Sequence, residues 1–505
     1  MFLLFTTHQF IIFFLPITLF VSFFLAKRNK TWTHCWLILV SMIFYGSFKL
    51  KYLLLFFLLT GLNYLMGRGL SSLHQKNKLS TSKKLLAAGL FLNLGTLCYY
   101  KYTHFFLENV NTFFHTNFVY KNVLIPLGIS FFIFQKIAYL MDCYHGKIKK
   151  NYSFLEFLLF VMYFPQLVSG PIVHHYELIP QFHKKEAFQF NPSHLTSGVM
   201  LFVIGLFKKM MIADNIGEWV NTSFETLATG KALSCLEAWI TALSFTFQIY
   251  FDFSGYTDMA IGMAFMMGIL LPQNFNSPYQ AENIIEFWRR WHMSLSRFLR
   301  DYLYIPLGGN RHGKKRRYIN LMITMLLGGL WHGSAWTFVI WGGLHGAYLI
   351  VNHTWNFFKD RHKVALGSKI FSVLLTFVAV TIAWVFFRAP NVSESFSLLE
   401  SMIGLHSISF SQEMTTRLLL LSGLLAWVWF LPNSQNIVSI YTNEVATPML
   451  NTQVFRRLYQ FLYFSPTQIA ANTYLGFTCG ILGLFILGLK LVCQTQLKTF
   501  IYFQF

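Results

Sequence analysis

Three histidines lie in or beside strongly apolar segments in the second half of the chain. His292 lies within EFWRRWHMSLSRFLRD (residues 286–301), and His332 and His345 lie within LLGGLWHGSAWTFVIWGGLHG (residues 326–346). Ionisable side chains at membrane depth are costly, so they usually face a protein interior or a wet cavity. A neutral imidazole in such a place can accept a proton from a hydroxyl group as a general base. These histidines are therefore the first candidates for catalysis.

The residues around His292 are able to build a site if residues 286–301 form one helix. In that case Trp288 and Arg289 share a face with His292, and Trp291 adds a second indole. An aromatic ring, a guanidinium group and an imidazole would then meet around one point. The competing interpretation is an interfacial helix with an aromatic belt and lipid-facing arginines.

His332 and His345 are thirteen residues apart in a segment rich in glycine, which lets helices or ligands approach the backbone closely. On a continuous helix they would be about 220° apart around the axis and roughly 19 Å apart along it. Both can serve one reacting atom only if the helix breaks between them. We expect one to be catalytic and the other to be supporting, and the spacing does not decide which.

The stretch YFDFSGYTD (residues 250–258) places Asp252 and Asp258 in apolar surroundings. Carboxylates there should be paired or solvated. They are able to orient an arginine or a histidine, or to cap a helix broken at Gly255. A structural role is favoured for both.

Composition indicates a polytopic membrane protein. The chain has 505 residues, of which 55% are hydrophobic and 12% charged, with a mean hydropathy of +0.47. Recurrent apolar runs predict on the order of ten membrane-embedded helices. The net charge of +21 comes largely from short basic loops, such as residues 27–30, 76–84 and 314–317. We attribute it to the positive-inside rule and to anionic lipid rather than to nucleic acid, with the N-terminus outside.

We expect one integral membrane domain over residues 1–505. It divides into an N-terminal helical group (1–120), a core (122–355) and C-terminal helices (356–505). Prolines and glycines interrupt the core, and such breaks at membrane depth predict a cavity. Residues 101–122 are predicted to be an outer loop or an interfacial helix. The cysteines lack metal-site spacing, so no metal is expected, and no P-loop, GxGxxG, GxSxG or HExxH motif occurs.

Several blocks of the core resemble the membrane-bound O-acyltransferases, in particular the bacterial branch that O-acetylates alginate and peptidoglycan. In family order these blocks are LGISFFIFQKIAYLMDCYHG (127–146), YFPQLVSGPIVHHYELIPQF (163–182), QIYFDFSGYTDMAIG (248–262), NFNSPY (274–279), FWRRWHMSLSRFLRDYLYIPLGGNR (287–311) and GGLWHGSAWTFVIWGGLH (328–345).

The resemblance implies an all-α fold around a central tunnel and assigns the histidines. The family's usual catalytic histidine maps to His332 in the WHG block, and its second active-site position maps to His292. The residues expected to support them are Trp288, Arg289, Trp291, Trp331, His345 and Asp252.

The implied reaction is acetyl transfer from cytoplasmic acetyl-CoA, with no bound cofactor, to an extracytoplasmic polysaccharide. His332 would act as the general base. His292 would orient the hydroxyl or hydrogen-bond the thioester carbonyl. An acetyl-histidine intermediate is the alternative mechanism. The implied location is the bacterial inner membrane, with membrane lipid around the chain and a periplasmic acetyltransferase or SGNH-type partner.

Two other classes stay open at this point. A transporter or channel for an acyl donor or polysaccharide would also use broken helices and intramembrane charges. A non-catalytic scaffold is the third, although two imidazoles in an apolar pore argue against it. The acceptor, whether alginate, another exopolysaccharide or peptidoglycan, cannot be read from the residues.

Overall fold

The computed structural model describes residues 3–119, 124–148, 152–362, 369–405 and 412–442, together with Phe485 and Gly488. All regular secondary structure in this part of the chain is helical, as predicted. The first helices are α1 (Leu15–Ala26), α2 (Lys30–Gly46), α3 (Leu50–Gln75), α4 (Leu79–Leu97) and α5 (Thr103–Phe114). The predicted C-terminal helices beyond residue 442 lie outside the described residues.

Shorter helices dominate the start of the predicted core, because prolines and glycines interrupt the chain there. They are α6 (Ile129–Tyr144), α7 (Phe154–Met162), α8 (Phe164–Leu167) and α9 (His175–Phe182). α6 is enclosed on nearly every side and packs against α3 and α4. The N-terminal group therefore supports the core directly, although the predicted division into three parts stays a prediction.

The helices of the second half of the core carry the predicted site. They are α10 (Pro192–Phe207), α11 (Asp214–Ala228), α12 (Cys235–Met266), α13 (Ile284–Arg290), α14 (Met293–Leu299), α15 (Gly313–His332) and α16 (Trp336–His362). They are followed by α17 (Lys369–Arg388), α18 (Val392–Met402), α19 (Gln412–Phe430) and α20 (Ser434–Thr442).

Four helices or continuous helix pairs among the described residues are long and apolar enough to cross a membrane. They are Gln9–Ala26, Leu50–Gln75, Pro192–Ala228 and Lys369–Arg388. The first begins with a π-helical turn and the third contains one. The chain is thus a multi-pass helical membrane protein by composition, and the expected number of about ten spans stays a prediction.

α12 does not break at Gly255, which corrects one expectation. The helix continues without interruption to Met266. The glycine instead permits close packing against α10. A Cβ atom at Gly255 would lie 2.7 Å from the carbonyl oxygen of Gly205. Small residues at this crossing therefore let the two backbones approach closely.

The aspartates of α12 are paired, as the sequence predicts. Asp252 lies 2.6 Å from the Nζ atom of Lys209, and Asp258 lies 2.7 Å from that of Lys208. All four side chains are buried. Both lysines come from the π-helical turn that follows α10, so the aspartates join two helices and neither one caps a helix end.

Candidate active site

His332 is the last residue of α15, and the chain leaves the helix at Gly333 in an extended conformation. The break between α15 and α16 separates His332 from His345, which lies within α16. The two helices fold back on each other, with Gly342 of α16 against Met325 and Leu326 of α15. The glycines of this segment therefore serve the close helix approach that their spacing predicts.

The end of α15 is held by two residues that the sequence reasoning missed. Lys101 donates from Nζ to the carbonyl oxygens of Trp331, at 2.5 Å, and His332, at 2.9 Å. The hydroxyl of Tyr102 donates to the carbonyl of Leu330 at 2.8 Å. A cation at a helix C-terminus satisfies orphan carbonyls and complements the helix dipole.

Residues 101–122 were expected to form an outer loop or an interfacial helix, and Lys101 belongs to neither. It is buried in a π-helical turn after α4, whereas α5 has no buried residue and fits the interfacial helix. The signal in the sequence was a lysine among aromatic residues, YYKY, next to an apolar run.

His292 does not lie within a continuous helix, which is a second correction. α13 ends at Arg290 and α14 begins at Met293, and His292 between them has φ 42° and ψ 54°. This left-handed conformation is uncommon for a residue with a Cβ atom and occurs often at functional sites. As a result Trp288 and Arg289 do not share a helical face with His292.

Asn274 holds the break in place. Its Oδ1 atom accepts hydrogen bonds from the Ser294 backbone N–H at 3.2 Å and the Ser294 hydroxyl at 2.9 Å. The Nδ1 atom of His292 lies 3.1 Å from the same oxygen. A backbone N–H only donates, so the Asn274 atom is the carbonyl oxygen and Nδ1 of His292 must carry the proton. The lone pair of the neutral ring is then on Nε2, which has no hydrogen-bond partner among the described residues.

The structure brings His292 and His332 together. Their ring centroids are 6.3 Å apart, and both side chains are buried. Trp331 contacts both imidazoles, with ring centroids 6.2 Å from His292 and 4.9 Å from His332. The catalytic roles of the two histidines stay predictions, but their juxtaposition is what those roles require.

His345 lies behind a tryptophan rather than beside the pair. The ring of Trp341 is 5.1 Å from His332 and 4.8 Å from His345. The indole N–H of Trp288 donates to Nδ1 of His345 at 3.3 Å, so the proton of the neutral His345 ring is on Nε2. Trp288 thus supports His345, not His292.

The other predicted supporting residues take separate positions. Trp291 is fully buried and packs on Phe287 and Trp384, with ring centroids 5.7 and 4.9 Å away. Asp252 forms the ion pair with Lys209 described above. Arg289 lines a cavity of about 690 Å³ formed by α13, α14, α15 and α16.

That cavity lies between the predicted site and the basic segment 314–317, which the structure places in the first turns of α15 rather than in a loop. Met293 and Ser294, next to His292, form part of its wall, and His353, bound to Arg317, forms another part. The cavity also carries three arginines. Arg297 is bound by both carboxylate oxygens of Glu177, and Arg300 pairs with Asp301. Arg289 has no carboxylate partner among the described residues. Its positive charge is therefore available to bind an anionic group of a ligand in this cavity.

A second buried polar cluster lies at the end of α6, and the sequence reasoning missed it. The Oδ2 atom of Asp142 accepts from the hydroxyl of Tyr302 at 2.8 Å and contacts Nε2 of His175 at 3.2 Å. Its Oδ1 atom accepts from Lys147 at 2.9 Å. This cluster ties α6 and α9 to the turn after α14, and so braces one wall of the site.

Comparisons with known proteins show what this sequence is similar to. Residues 80–390 match the model of the MBOAT, membrane-bound O-acyltransferase family. The chain is 42% identical over 434 residues to a peptidoglycan O-acetyltransferase of Helicobacter pylori, covering 81% of each protein. It is 36% identical over 419 residues to a probable alginate O-acetylase, AlgI, of Pseudomonas aeruginosa, covering 81% of this chain and 76% of that protein. A teichoic acid D-alanyltransferase of Bacillus subtilis is 29% identical over 249 residues, 48% of this chain and 62% of that protein.

Proposed function

This chain belongs to the membrane-bound O-acyltransferase family and is an acyltransferase, and from that premise we propose that it moves acetyl groups from cytoplasmic acetyl-CoA to a polysaccharide outside the inner membrane. The observation that carries the proposal is the buried pair of His292 and His332, with rings 6.3 Å apart beside a cationic cavity. A transporter or a scaffold has no need for this pair.

The cavity supports coenzyme A as the donor carrier. It combines apolar side chains with Arg289, and its lining residue His353 contacts Arg317 of the basic segment 314–317, which would attract phosphate groups. Basic loops favour the cytoplasmic side of a membrane, where acetyl-CoA is made. Met325 lines the cavity seven residues before His332, about 10 Å along α15. A flexible thioester arm bound there would lead toward the histidines.

His332 is proposed to take the proton of the acceptor hydroxyl. The hydroxyl oxygen then attacks the thioester carbonyl carbon and the carbon–sulfur bond breaks. The departing coenzyme A thiolate takes from His332 the proton that came from the hydroxyl. The Asn274 contact supports one of the two roles considered for His292. Since Nε2 of His292 carries a lone pair, it can hold a hydroxyl group, but it cannot donate to a carbonyl oxygen. The buried site would limit hydrolysis of the thioester.

The acceptor would approach the histidines from the C-terminal end of α15, opposite the basic segment 314–317. His332 ends this helix, and nearby Trp336 donates from Nε1 to Asn109 of the exposed helix α5 at 2.8 Å. Peptidoglycan and alginate are the acceptor polymers named for the relatives, and one of them, or a similar exopolysaccharide, is the proposed final acceptor. An SGNH-type periplasmic protein is the proposed partner that completes the transfer.

The test uses inverted membrane vesicles that contain the protein, so that its cytoplasmic face is outside. We expect label from [¹⁴C]acetyl-CoA to appear in base-labile esters on material within the vesicles, together with release of free coenzyme A. Vesicles without the protein are the control. If intact labelled acetyl-CoA entered the vesicles with no coenzyme A released, the chain would be a transporter and the proposal would be wrong.

A further inference from the structure

Three tryptophans around His332 carry buried indole N–H groups with no hydrogen-bond partner among the described residues: Trp331, Trp341 and Trp384. Buried donors without partners are rare in proteins, and each one calls for an explanation. An indole N–H can donate but cannot accept, so only an acceptor can satisfy it. Three such donors in one place indicate that an acceptor enters the site.

Trp331 and Trp341 both contact the ring of His332. Their rings contact the imidazole edge to face, with centroids 4.9 and 5.1 Å away and interplanar angles of 73° and 86°. Trp384 stacks on the far side of Trp341, with a centroid distance of 5.6 Å, and so belongs to an outer layer. Trp331 and Trp341 are therefore the two donors that directly flank the predicted base.

Both indoles are held firmly. Trp331 stacks on Phe134 at 5.1 Å, and its own backbone carbonyl accepts from Lys101. Trp341 is fully buried between Trp384 and His345. Rigid donors are what stabilisation of a developing charge requires, because they pay no reorganisation cost during the reaction.

Three other donors near the pair are already used. The N–H of Trp288 binds His345, and Lys101 binds the carbonyls at the end of α15. The Nδ1–H of His292 binds Asn274. Two further buried donors have no partner among the described residues: the Nδ2 atom of Asn274, which lies beside His292, and the Nε2 atom of His345, which contacts Trp341. Trp331 and Trp341 are the unpaired indole donors whose rings contact His332 itself.

We propose that the indole N–H groups of Trp331 and Trp341 bind the thioester carbonyl oxygen and stabilise the oxyanion that forms on it. In this step the carbonyl π electrons move to oxygen as the acceptor oxygen bonds to carbon, and they return as the carbon–sulfur bond breaks. The inference rests on the proposed function. It makes Trp331 and Trp341 catalytic residues rather than packing residues.

The test replaces each tryptophan with 3-benzothienylalanine, which keeps the fused ring but has sulfur in place of N–H. We expect kcat for acetyl transfer from acetyl-CoA to fall about 100-fold for each replacement, with little change in KM, because removal of one oxyanion donor typically costs this much. The control is the same replacement at Trp239, whose N–H donates to the carbonyl of Met402 at 3.0 Å, away from the histidines. It should leave kcat unchanged.

A second measurement separates chemistry from folding. A ketone analogue of acetyl-CoA, with CH2 in place of the sulfur, should show a carbonyl infrared band moved to lower frequency in the unmodified protein and less so in the replaced proteins. Unchanged kcat and an unchanged band in both replacements would overturn the inference while leaving the proposed function intact. A protein that transfers no acetyl group from acetyl-CoA overturns both.

Discussion

At the scale of single residues, tertiary contacts determine the conformation and the neighbours of His292, which the local spacing of residues could not predict. Helical periodicity placed Trp288, Arg289 and His292 on one face, but the helix breaks before His292. The cause is Asn274, eighteen residues earlier, which binds both His292 and Ser294. Asn274 lies outside the helical pattern around His292, so periodicity alone could not predict this contact. The identity of the two candidate histidines was nonetheless available from the apolar segments and the resemblance.

Arg289, which has no carboxylate partner in the part of the chain that the structure describes, gives a prediction for donor binding. Arg289→Gln should raise KM for acetyl-CoA several-fold with a smaller change in kcat, because it removes a cation offered to the phosphates but not a reacting group. Steady-state kinetics with varied acetyl-CoA would measure this. The matched control is Arg290→Gln, since Arg290 already pairs with Glu286 at 2.6 Å and does not line the cavity. An equal KM for both variants would contradict the donor assignment.

At the scale of helices, the breaks and close contacts were only partly predictable. Proline and glycine correctly indicated an interrupted core, and the gap between α15 and α16 falls within the glycine-rich segment. The expected helix break at Gly255 was wrong, because a glycine in an apolar helix can mark either a break or a close helix contact. Which one applies depends on Gly205 of another helix, and the pairing partners Lys208 and Lys209 lie on that side too.

The contact at Gly255 gives a prediction for stability. Gly255→Ala should lower the free energy of unfolding by about 1–3 kcal/mol, because its methyl group would overlap the backbone of Gly205. Gly61→Ala is the control, since a Cβ atom there meets nothing within 4 Å, and it should be neutral or stabilising by up to about 1 kcal/mol. Thermal unfolding in detergent would compare the two. Equal stability of the variants would show that the α10–α12 contact is looser than described.

At the scale of the whole molecule, basic loops from distant parts of the chain meet at one end. Lys30 donates to the backbone carbonyls of His183 and Lys184, at 2.9 and 2.8 Å, so the loops after α1 and α9 lie together. The placement of these loops on the cytoplasmic side, which the positive-inside rule would give, stays a prediction. The number of spans was harder to predict. α12, for example, is 32 residues long and is not among the helices that length and composition mark as spans. It contains Asp252 and Asp258, whose charges are paired with lysines of the turn after α10.

The most direct test of the acyltransferase site is acetyl transfer by the His332→Ala variant in the inverted-vesicle assay. The rate of label incorporation from [¹⁴C]acetyl-CoA should fall to the level of vesicles without the protein, while the amount of protein in the membrane stays normal. His104→Ala, in the exposed helix α5, is the control and should keep the full rate. A His332→Ala variant that transfers acetyl groups at near the unmodified rate would contradict the assignment of His332 as the catalytic base.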